Sequence, residues 1–140
     1  MSLAYQYNCE GINWAEVEDL FRATDLGGRA GDKIRRSFEK SSLVCFVLAD
    51  RRLIGVCRAI TDWEYHAIIY DVAVHPAWQG QGIGSAMMHG LLTRLPVWRV
   101  MLVSDDGDAR RFYQRLGFAQ YDNVMARLDW GRLYDGDGQD

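Results

Sequence analysis

Hydrophobic residues follow two different spacings along the chain. Short runs rich in β-branched residues, either alternating or continuously apolar, predict strands. These runs cover 4–9, 43–49, 53–60, 68–74, 99–103 and a last stretch near 124–128. The polar triplet Asp50-Arg51-Arg52 separates two of them, which is typical of a hairpin turn.

Other segments repeat their apolar residues at helical spacing. Helices are predicted at 13–24, 32–40, from 83 onward and at 109–116. Asn13 followed by Glu16 resembles a capping box that opens the first helix, and Asp32 is predicted to cap the second. Between them, 26–31 forms a flexible glycine-rich connector.

The order of these elements predicts the fold class. Strands followed by strand–helix–strand–helix–strand indicate an α/β chain, more narrowly a mixed α+β sheet flanked by helices. A length of 140 residues suits one domain, 1–140, with a single core. The polar, glycine-rich segment 131–140 is expected to be a flexible tail.

The stretch 68–88 joins a strand, a glycine-rich turn and an amphipathic helix. The turn reads QGQGIG over 79–84. Glycines allow backbone conformations that side chains forbid, and the first N–H groups of a helix lack intrahelical partners and carry partial positive charge. The stretch therefore predicts a binding site for a phosphate or pyrophosphate.

Two well-known phosphate loops do not fit this turn. A P-loop needs a Gly-Lys pair, and none occurs in the chain. A dinucleotide-binding loop has the spacing G-x-G-x-x-G, whereas Gly80 to Gly84 have G-x-G-x-G. A surface turn without a ligand is disfavoured by the strand and the long apolar helix that flank the glycines.

Composition excludes several classes of protein. Sixteen basic residues are scattered over a chain of net charge −3, so no stripe for nucleic acid is expected. No apolar run reaches membrane-spanning length and no signal peptide is visible, which favours a cytoplasmic protein without a membrane partner. Cys9, Cys45 and Cys57 are odd in number and lack metal-ligand spacing, so inert thiols and no metal site are predicted.

One family becomes recognisable from the glycine-rich turn. Gln79-x-x-Gly82-x-Gly84 resembles the Q/R-x-x-G-x-G/A signature of the GCN5-related N-acetyltransferases, or GNAT proteins. The resemblance covers roughly 43–129, and the N-terminal third fits the family's helical hairpin more loosely. It implies a central, mostly antiparallel sheet flanked by helices, with two splayed strands that leave a cleft for the arm of the cofactor.

A second motif agrees with the first. The run DGDARRFY over 106–113, followed by LGF over 116–118, resembles the family's N-x-x-A-x-x-F-Y…GF segment. One predicted strand separates the two motifs, as in the family. The family's asparagine is Asp106 here, and a helix-capping role is favoured over a ligand role for this aspartate.

The resemblance implies acetyl-CoA as co-substrate and no metal. Its pyrophosphate would lie on the amides of 79–85, and its arm would pair with the backbone of 72–74 like an added strand. The residues implied to bind the cofactor are Val72, Ala73, Val74, Gln79, Gly80, Gln81, Gly82, Ile83, Gly84, Ser85, Asp106, Phe112 and Tyr113.

Direct acetyl transfer to an amine gives three tasks to the chain. A carboxylate has to deprotonate the ammonium group, and Asp71 is the candidate because its strand lines the cleft. A backbone N–H near Val72 would stabilise the oxyanion. Tyr113 matches the family's general acid for the leaving thiolate, with a phenol pKa near 10. Weaker candidates for the base are Tyr70, His75, Glu64 and His66, and strand alternation predicts that Tyr70 and Asp71 face opposite sides.

The acceptor amine is less well specified. The run 58–62 followed by 70–72 resembles small plastid and bacterial arylalkylamine acetyltransferases, which implies a small primary amine. Trp63, Tyr65, Trp78 and the connector 26–31 are candidates for an aromatic pocket, although these aromatic residues also suit ordinary core or surface positions. A peptide or protein amine, and a non-catalytic module that senses acyl-CoA, stay open as alternatives, as does a homodimer.

Overall fold

The computed structural model describes residues 2–104 and 106–133, and it shows one mixed sheet flanked by helices. The strands are β1 Leu3–Gln6, β2 Leu43–Ala49, β3 Arg52–Thr61, β4 His66–Val74 and β5 Arg99–Met101. The helices are α1 Trp14–Arg22, α2 Gly31–Glu39, α3 Ile83–Leu92, α4 Gly107–Arg115 and the short α5 Trp130–Leu133. The predicted fold class is confirmed.

The strands follow one another in the sheet in chain order. β1 to β4 pair antiparallel, and β5 pairs parallel with β4. The parallel pairing covers only the beginning of β4, from His66 opposite Arg99 to Ile68 opposite Met101. From Ile69 to Val74, β4 continues without a partner on that side, so the two strands separate and open a cleft between them.

Each face of the sheet carries its own core. Met87, Met88 and Leu91 of α3 pack on one face, and Phe21 and Phe38 of α1 and α2 pack on the other. All five side chains are almost fully buried, and each burial of this kind contributes about 1.5–3 kcal/mol. The two helical layers therefore hold the sheet rigidly on both sides of the cleft.

Local signals explain how the first half of the chain turns. Asp50 and Arg51 take left-handed φ values of 47° and 72°, which suits a two-residue hairpin between β2 and β3. Asn13 caps α1 by accepting a hydrogen bond from the Ala15 amide. Glu16 does not complete a capping box; instead its carboxylate accepts from the Leu53 amide at 3.2 Å and links α1 to β3.

One predicted helix cap and one predicted strand are wrong. Helix α2 begins at Gly31 after an Ala30 N-cap, so Asp32 lies inside its first turn and does not cap it. The last predicted strand, near 124–128, does not form in the described chain. A strand needs a ladder partner, and the sheet ends at β5 without one for this segment, which leaves Val124 and Met125 exposed.

The end of the chain is only partly described. Gly131 to Leu133 belong to α5, and the carbonyl of Arg132 accepts a hydrogen bond from Lys33. The rest of the predicted tail, 134–140, lies outside the described residues. Among the helices that are described, none has the length and apolarity to cross a membrane.

Candidate active site

The loop between β4 and α3 presents bare backbone amides. Gly80 and Gly82 have left-handed φ values of 78° and 82°, which a residue with a side chain adopts only with strain. Gly82 is the N-cap of α3, and no side chain caps this helix. The first N–H groups of α3 are therefore left for a ligand, with the positive end of the helix dipole behind them.

Side chains in the same loop fix its shape. Gln79 donates from its side-chain amide to the Val74 carbonyl at 2.9 Å, which ties the loop to the end of β4. His75 accepts a hydrogen bond from the Ala77 amide at 3.0 Å and so caps the short 3-10 turn Pro76–Trp78. Gln79 and His75 thus position the loop. Nδ1 of His75 is already occupied by the hydrogen bond that it accepts from Ala77.

A β-bulge interrupts β4 where the strands separate. Val56 lies opposite Ala73 and Arg58 opposite Tyr70, so one residue of β3 faces two residues of β4. Asp71 is at the bulge, with a φ of 57°. The extra residue changes the alternation of faces, which corrects the expectation that Tyr70 and Asp71 point to opposite sides.

Beyond the bulge, the free edge of β4 faces the cleft. The His75 amide donates to Ile54 of β3 at 2.8 Å, so His75 points its backbone toward β3. Backbone direction alternates along a strand, which turns the polar groups of Val74 and Val72 away from β3 and toward the open edge. An extended ligand can pair with this edge in the way that a strand would.

Asp71 is held in a buried cluster with two arginines. Its carboxylate bonds Arg29 at 2.9 Å through one oxygen and Arg58 at 2.7 Å through the other. The side chain of Asp71 is 4% exposed, that of Arg58 12% and that of Arg29 25%. Both oxygens of this carboxylate are therefore already bound to guanidinium groups.

Helix α4 forms the opposite wall of the cleft. Asp106 caps it by accepting from the Ala109 amide at 2.7 Å, which agrees with the capping role predicted from the sequence. Phe112 lies so close to Gly84 that a Cβ on that glycine would be 3.3 Å from the ring. The glycine thus lets α4 pack directly against the start of α3.

Tyr113 follows on α4 and is partly buried. Burial, and then the negative charges of groups near it, raise its pKa from 10.0 to about 12. Those groups are Cys57, which contributes most of the three, followed by Asp25 and Asp106. The phenol is therefore protonated at every physiological pH and has a proton to donate.

These elements enclose one large cleft of about 840 Å³. Its wall includes twelve of the predicted cofactor-binding residues, namely Val72, Ala73, Val74, Gln79, Gly80, Gly82, Ile83, Gly84, Ser85, Asp106, Phe112 and Tyr113. Gln81 is exposed and does not line the cleft, and neither does Asp71. A second hollow, of about 280 Å³ beside Cys9 and Ser42, contains none of the predicted site residues.

Part of the cleft wall was not predicted from the sequence. Thr24 and Asp25, from the connector between α1 and α2, line the cleft together with Arg111 and Arg115 of α4. The arginines carried a usable signal, because they lie one helical turn apart in the second motif. No local pattern distinguished Asp25 from the other surface acids of the chain.

The aromatic residues predicted around the acceptor are not together. Trp78 lines the cleft. Trp63 and Tyr65 belong to the turn before β4, where Asp62 accepts hydrogen bonds from the amides of Glu64, Tyr65 and His66. The length of β4 separates this turn from the glycine loop, so neither aromatic residue nor Glu64 or His66 reaches the cleft.

Among the described residues, no group of His, Cys, Asp or Glu side chains is arranged to hold a metal ion.

Comparison with known proteins agrees with this geometry. The model of the Acetyltransferase (GNAT) family matches residues 9–118. The chain is 29% identical over 132 residues to an uncharacterized N-acetyltransferase, ycf52, of Porphyra purpurea, a match that covers 90% of this chain and 76% of the relative. It is 31% identical over 113 residues to GCN5-related N-acetyltransferase 1, chloroplastic, of Arabidopsis thaliana, covering 78% of this chain and 57% of the relative.

Two further matches extend the comparison. Over 83 residues the chain is 39% identical to histone acetyltransferase TAP1 of Glycine max, covering 57% of this chain and 36% of the relative. The solved structure of a GNAT family acetyltransferase from Streptococcus pneumoniae superposes with a TM-score of 0.78 at 21% identity, covering 91% of this chain and 98% of the other. This likeness concerns the fold.

Proposed function

Because the chain belongs to the GNAT acetyltransferase family and is an acetyl-CoA-dependent N-acetyltransferase, we propose that its acceptor is the primary amine of a small molecule. The observation that carries the proposal is the shared cleft, which is lined by Tyr113, by the free edge of β4 and by the glycine loop. A donor phenol and a strand edge that is not paired with β5 are groups that can assist acyl transfer.

The residues of the cleft suit acetyl-CoA. The uncapped start of α3 offers amides to a pyrophosphate, and Gly80 and Gly82 leave the approach to them free of side chains. The backbone of Val72 and the amide of Val74 suit the amide groups of the cofactor's arm, while the Val74 carbonyl already accepts from Gln79. Arg115 adds positive charge to the same wall, which favours an anionic ligand, while Arg111 is paired with Asp108.

Two groups of this chain would act on the reacting atoms. The amide of Val72 points toward the open edge and would donate to the oxyanion that forms on the thioester carbonyl. Tyr113 would hydrogen-bond the sulfur and donate its proton as the thiolate leaves. The amine nitrogen forms a bond to the thioester carbon, the carbon–sulfur bond then breaks, and the acetylated amine and the free thiol leave.

A small amine is supported by the resemblance of 58–62 and 70–72 to arylalkylamine enzymes. The aromatic support is limited to Trp78, so the proposal is a small primary amine, with arylalkylamines as its first test class. A protein lysine is the second candidate, since a relative is named as a histone acetyltransferase. The cytoplasmic location and a homodimer stay predictions, and two relatives are named as chloroplastic.

The test is an acceptor screen. Purified protein and acetyl-CoA are incubated with arylalkylamines, polyamines, amino acids and lysine-containing peptides, and acetylated products are identified by mass spectrometry. A dominant small-molecule product is the expected result. A dominant peptide product would replace it with the second candidate. Binding of acetyl-CoA without any product would favour the non-catalytic sensor instead.

The glycine loop gives a sharper prediction about the cofactor. Gly82→Ala is expected to weaken acetyl-CoA binding about tenfold, since a Cβ at a left-handed φ costs about 1–2 kcal/mol. No atom lies within 4 Å of that Cβ, so the whole cost comes from backbone strain that turns the amides away. Isothermal titration calorimetry measures the dissociation constant.

Gln81→Ala is the matched control for the loop. Gln81 is exposed and does not line the cleft, so its side chain is expected to add nothing to binding while its amide is retained. A dissociation constant for Gly82→Ala within twofold of the unmodified protein would show that the φ of this residue does not organise the site.

A further inference from the structure

Asp71, the carboxylate predicted to deprotonate the acceptor, is bound by two arginines, so another group has to accept this proton. We infer that Asp25, on the connector between α1 and α2, accepts the proton of the acceptor's ammonium group. The inference rests on the proposed function and names one further catalytic residue for it. No local sequence pattern had pointed to a proton acceptor between α1 and α2.

Asp25 has a suitable position for this role. Asp25 and Thr24 line the same cleft as Val72 and Tyr113, although they come from a different layer of the fold. Thr24 fixes the end of α1 by donating its hydroxyl to the carbonyls of Leu20 and Phe21, both at 3.1 Å. The residue after this anchor is thereby held at the cleft wall.

The carboxylate of Asp25 is also available to accept a proton. In the described part of the chain, Asp25 is exposed and makes no hydrogen bond or ion pair. The other acids at the cleft are engaged: Asp106 caps α4, and Asp108 forms an ion pair with Arg111. Of the described carboxylates that line the cleft, Asp25 is the one whose oxygens are free to accept a proton.

Asp25 also interacts electrostatically with Tyr113. Asp25 and Tyr113 line the same cleft, and the negative charge of Asp25 is one of the contributions, after burial and Cys57, that raise the pKa of Tyr113. An acceptor amine that attacks a thioester beside Tyr113 would thus arrive next to Asp25. The charge of the carboxylate also attracts an ammonium ion, whereas Arg111 and Arg115 line the wall formed by α4.

The proton steps balance with these two residues. Asp25 takes one proton from the ammonium group, directly or through water, and leaves a nitrogen with a free electron pair. The nitrogen attacks the thioester carbon, and the carbon–sulfur bond then breaks. Tyr113 gives its proton to the thiolate and recovers one from the amide nitrogen through solvent, while Asp25 releases its proton to water. The sum is one acetylated amine, one free thiol and one proton.

The test compares Asp25→Asn with the unmodified protein across pH. An alkylammonium has a pKa of about 10, so only about one molecule in 10³ is neutral at pH 7. Removing the proton acceptor is expected to lower kcat/KM about 10²-fold at pH 7. At pH 10 about half of the amine is already neutral, and the difference is expected to shrink to less than about threefold.

Two controls keep the outcomes separate. Asp19→Asn removes the same charge from α1 at an exposed position outside the cleft and is expected to leave kcat/KM unchanged. Acetyl-CoA binding by Asp25→Asn, measured by calorimetry, is expected to equal that of the unmodified protein.

The inference is overturned by a loss below threefold at pH 7, or by a loss that is equally large at pH 7 and pH 10. If the unmodified protein transfers no acetyl group while it still binds acetyl-CoA, the proposed function itself fails, and the inference fails with it.

Discussion

Tyr113→Phe is expected to lower kcat by about 10²- to 10³-fold while leaving the affinity for acetyl-CoA unchanged. The substitution removes one hydroxyl from the cleft and keeps the ring that packs against Phe112 and Phe118. The lost hydrogen bond is one that strengthens only as negative charge develops on the leaving sulfur. For this reason the effect falls on the rate of transfer, not on binding.

The pH dependence of the unmodified protein follows from the raised pKa of this phenol. Because its pKa in the folded chain is about 12, Tyr113 stays protonated through pH 10, and kcat is expected to show no alkaline fall caused by this residue. The pKa in the unfolded chain is the ordinary 10.0, so the same shift affects stability. The raised pKa of Tyr113 contributes in full to the free energy of unfolding below pH 10. This contribution is lost as the pH rises from about 10 through about 12.

Steady-state kinetics and calorimetry on the same samples check this prediction. Tyr121→Phe is a matched control, since Tyr121 is exposed and does not line the cleft. A kcat for Tyr113→Phe within threefold of the unmodified value would remove the general-acid role. A large loss of acetyl-CoA affinity would assign Tyr113 to binding instead.

Asp71→Asn is expected to lower the free energy of unfolding by about 3 kcal/mol, because it leaves two largely buried guanidinium groups without their carboxylate. For a chain of this length the melting temperature should fall by about 10 °C. Asparagine tolerates a left-handed φ, so the change removes charge without adding backbone strain at the bulge. Thermal unfolding followed by circular dichroism measures the loss.

Asp50→Asn provides the same substitution without the buried cluster. Asp50 also has a left-handed φ, but it lies in an exposed hairpin turn, and a change of less than about 0.5 kcal/mol is expected there. An Asp71→Asn protein of normal stability that loses about 10²-fold in kcat/KM at pH 7, with recovery at pH 10, would restore Asp71 as the base and contradict the assignment to Asp25.

Short-range chemistry explains what the sequence determined. The strand, the glycine turn and the start of α3 are consecutive, so the order of residues alone predicted the uncapped amides at Gly82. The cleft edge at Val72 and Val74 and the places of Asp106 and Tyr113 came from the resemblance of two motifs to one family. The mixed sheet follows from the order of the local patterns, and the family follows from the two motifs.

Contacts between distant segments decided the rest. The bulge at Asp71 exists only in the register between β3 and β4, and Arg29 reaches that aspartate from another layer of the fold. The same layer brings Asp25 to the cleft that is also lined by Tyr113, 88 positions later in the chain. Trp63 and Tyr65 are residue types that often line a pocket, but they lie at the other end of β4. The segment 124–128 alternates like a strand but has no ladder partner. A sequence pattern specifies what a segment can form, while burial, pairing and the approach of remote side chains determine what it contacts.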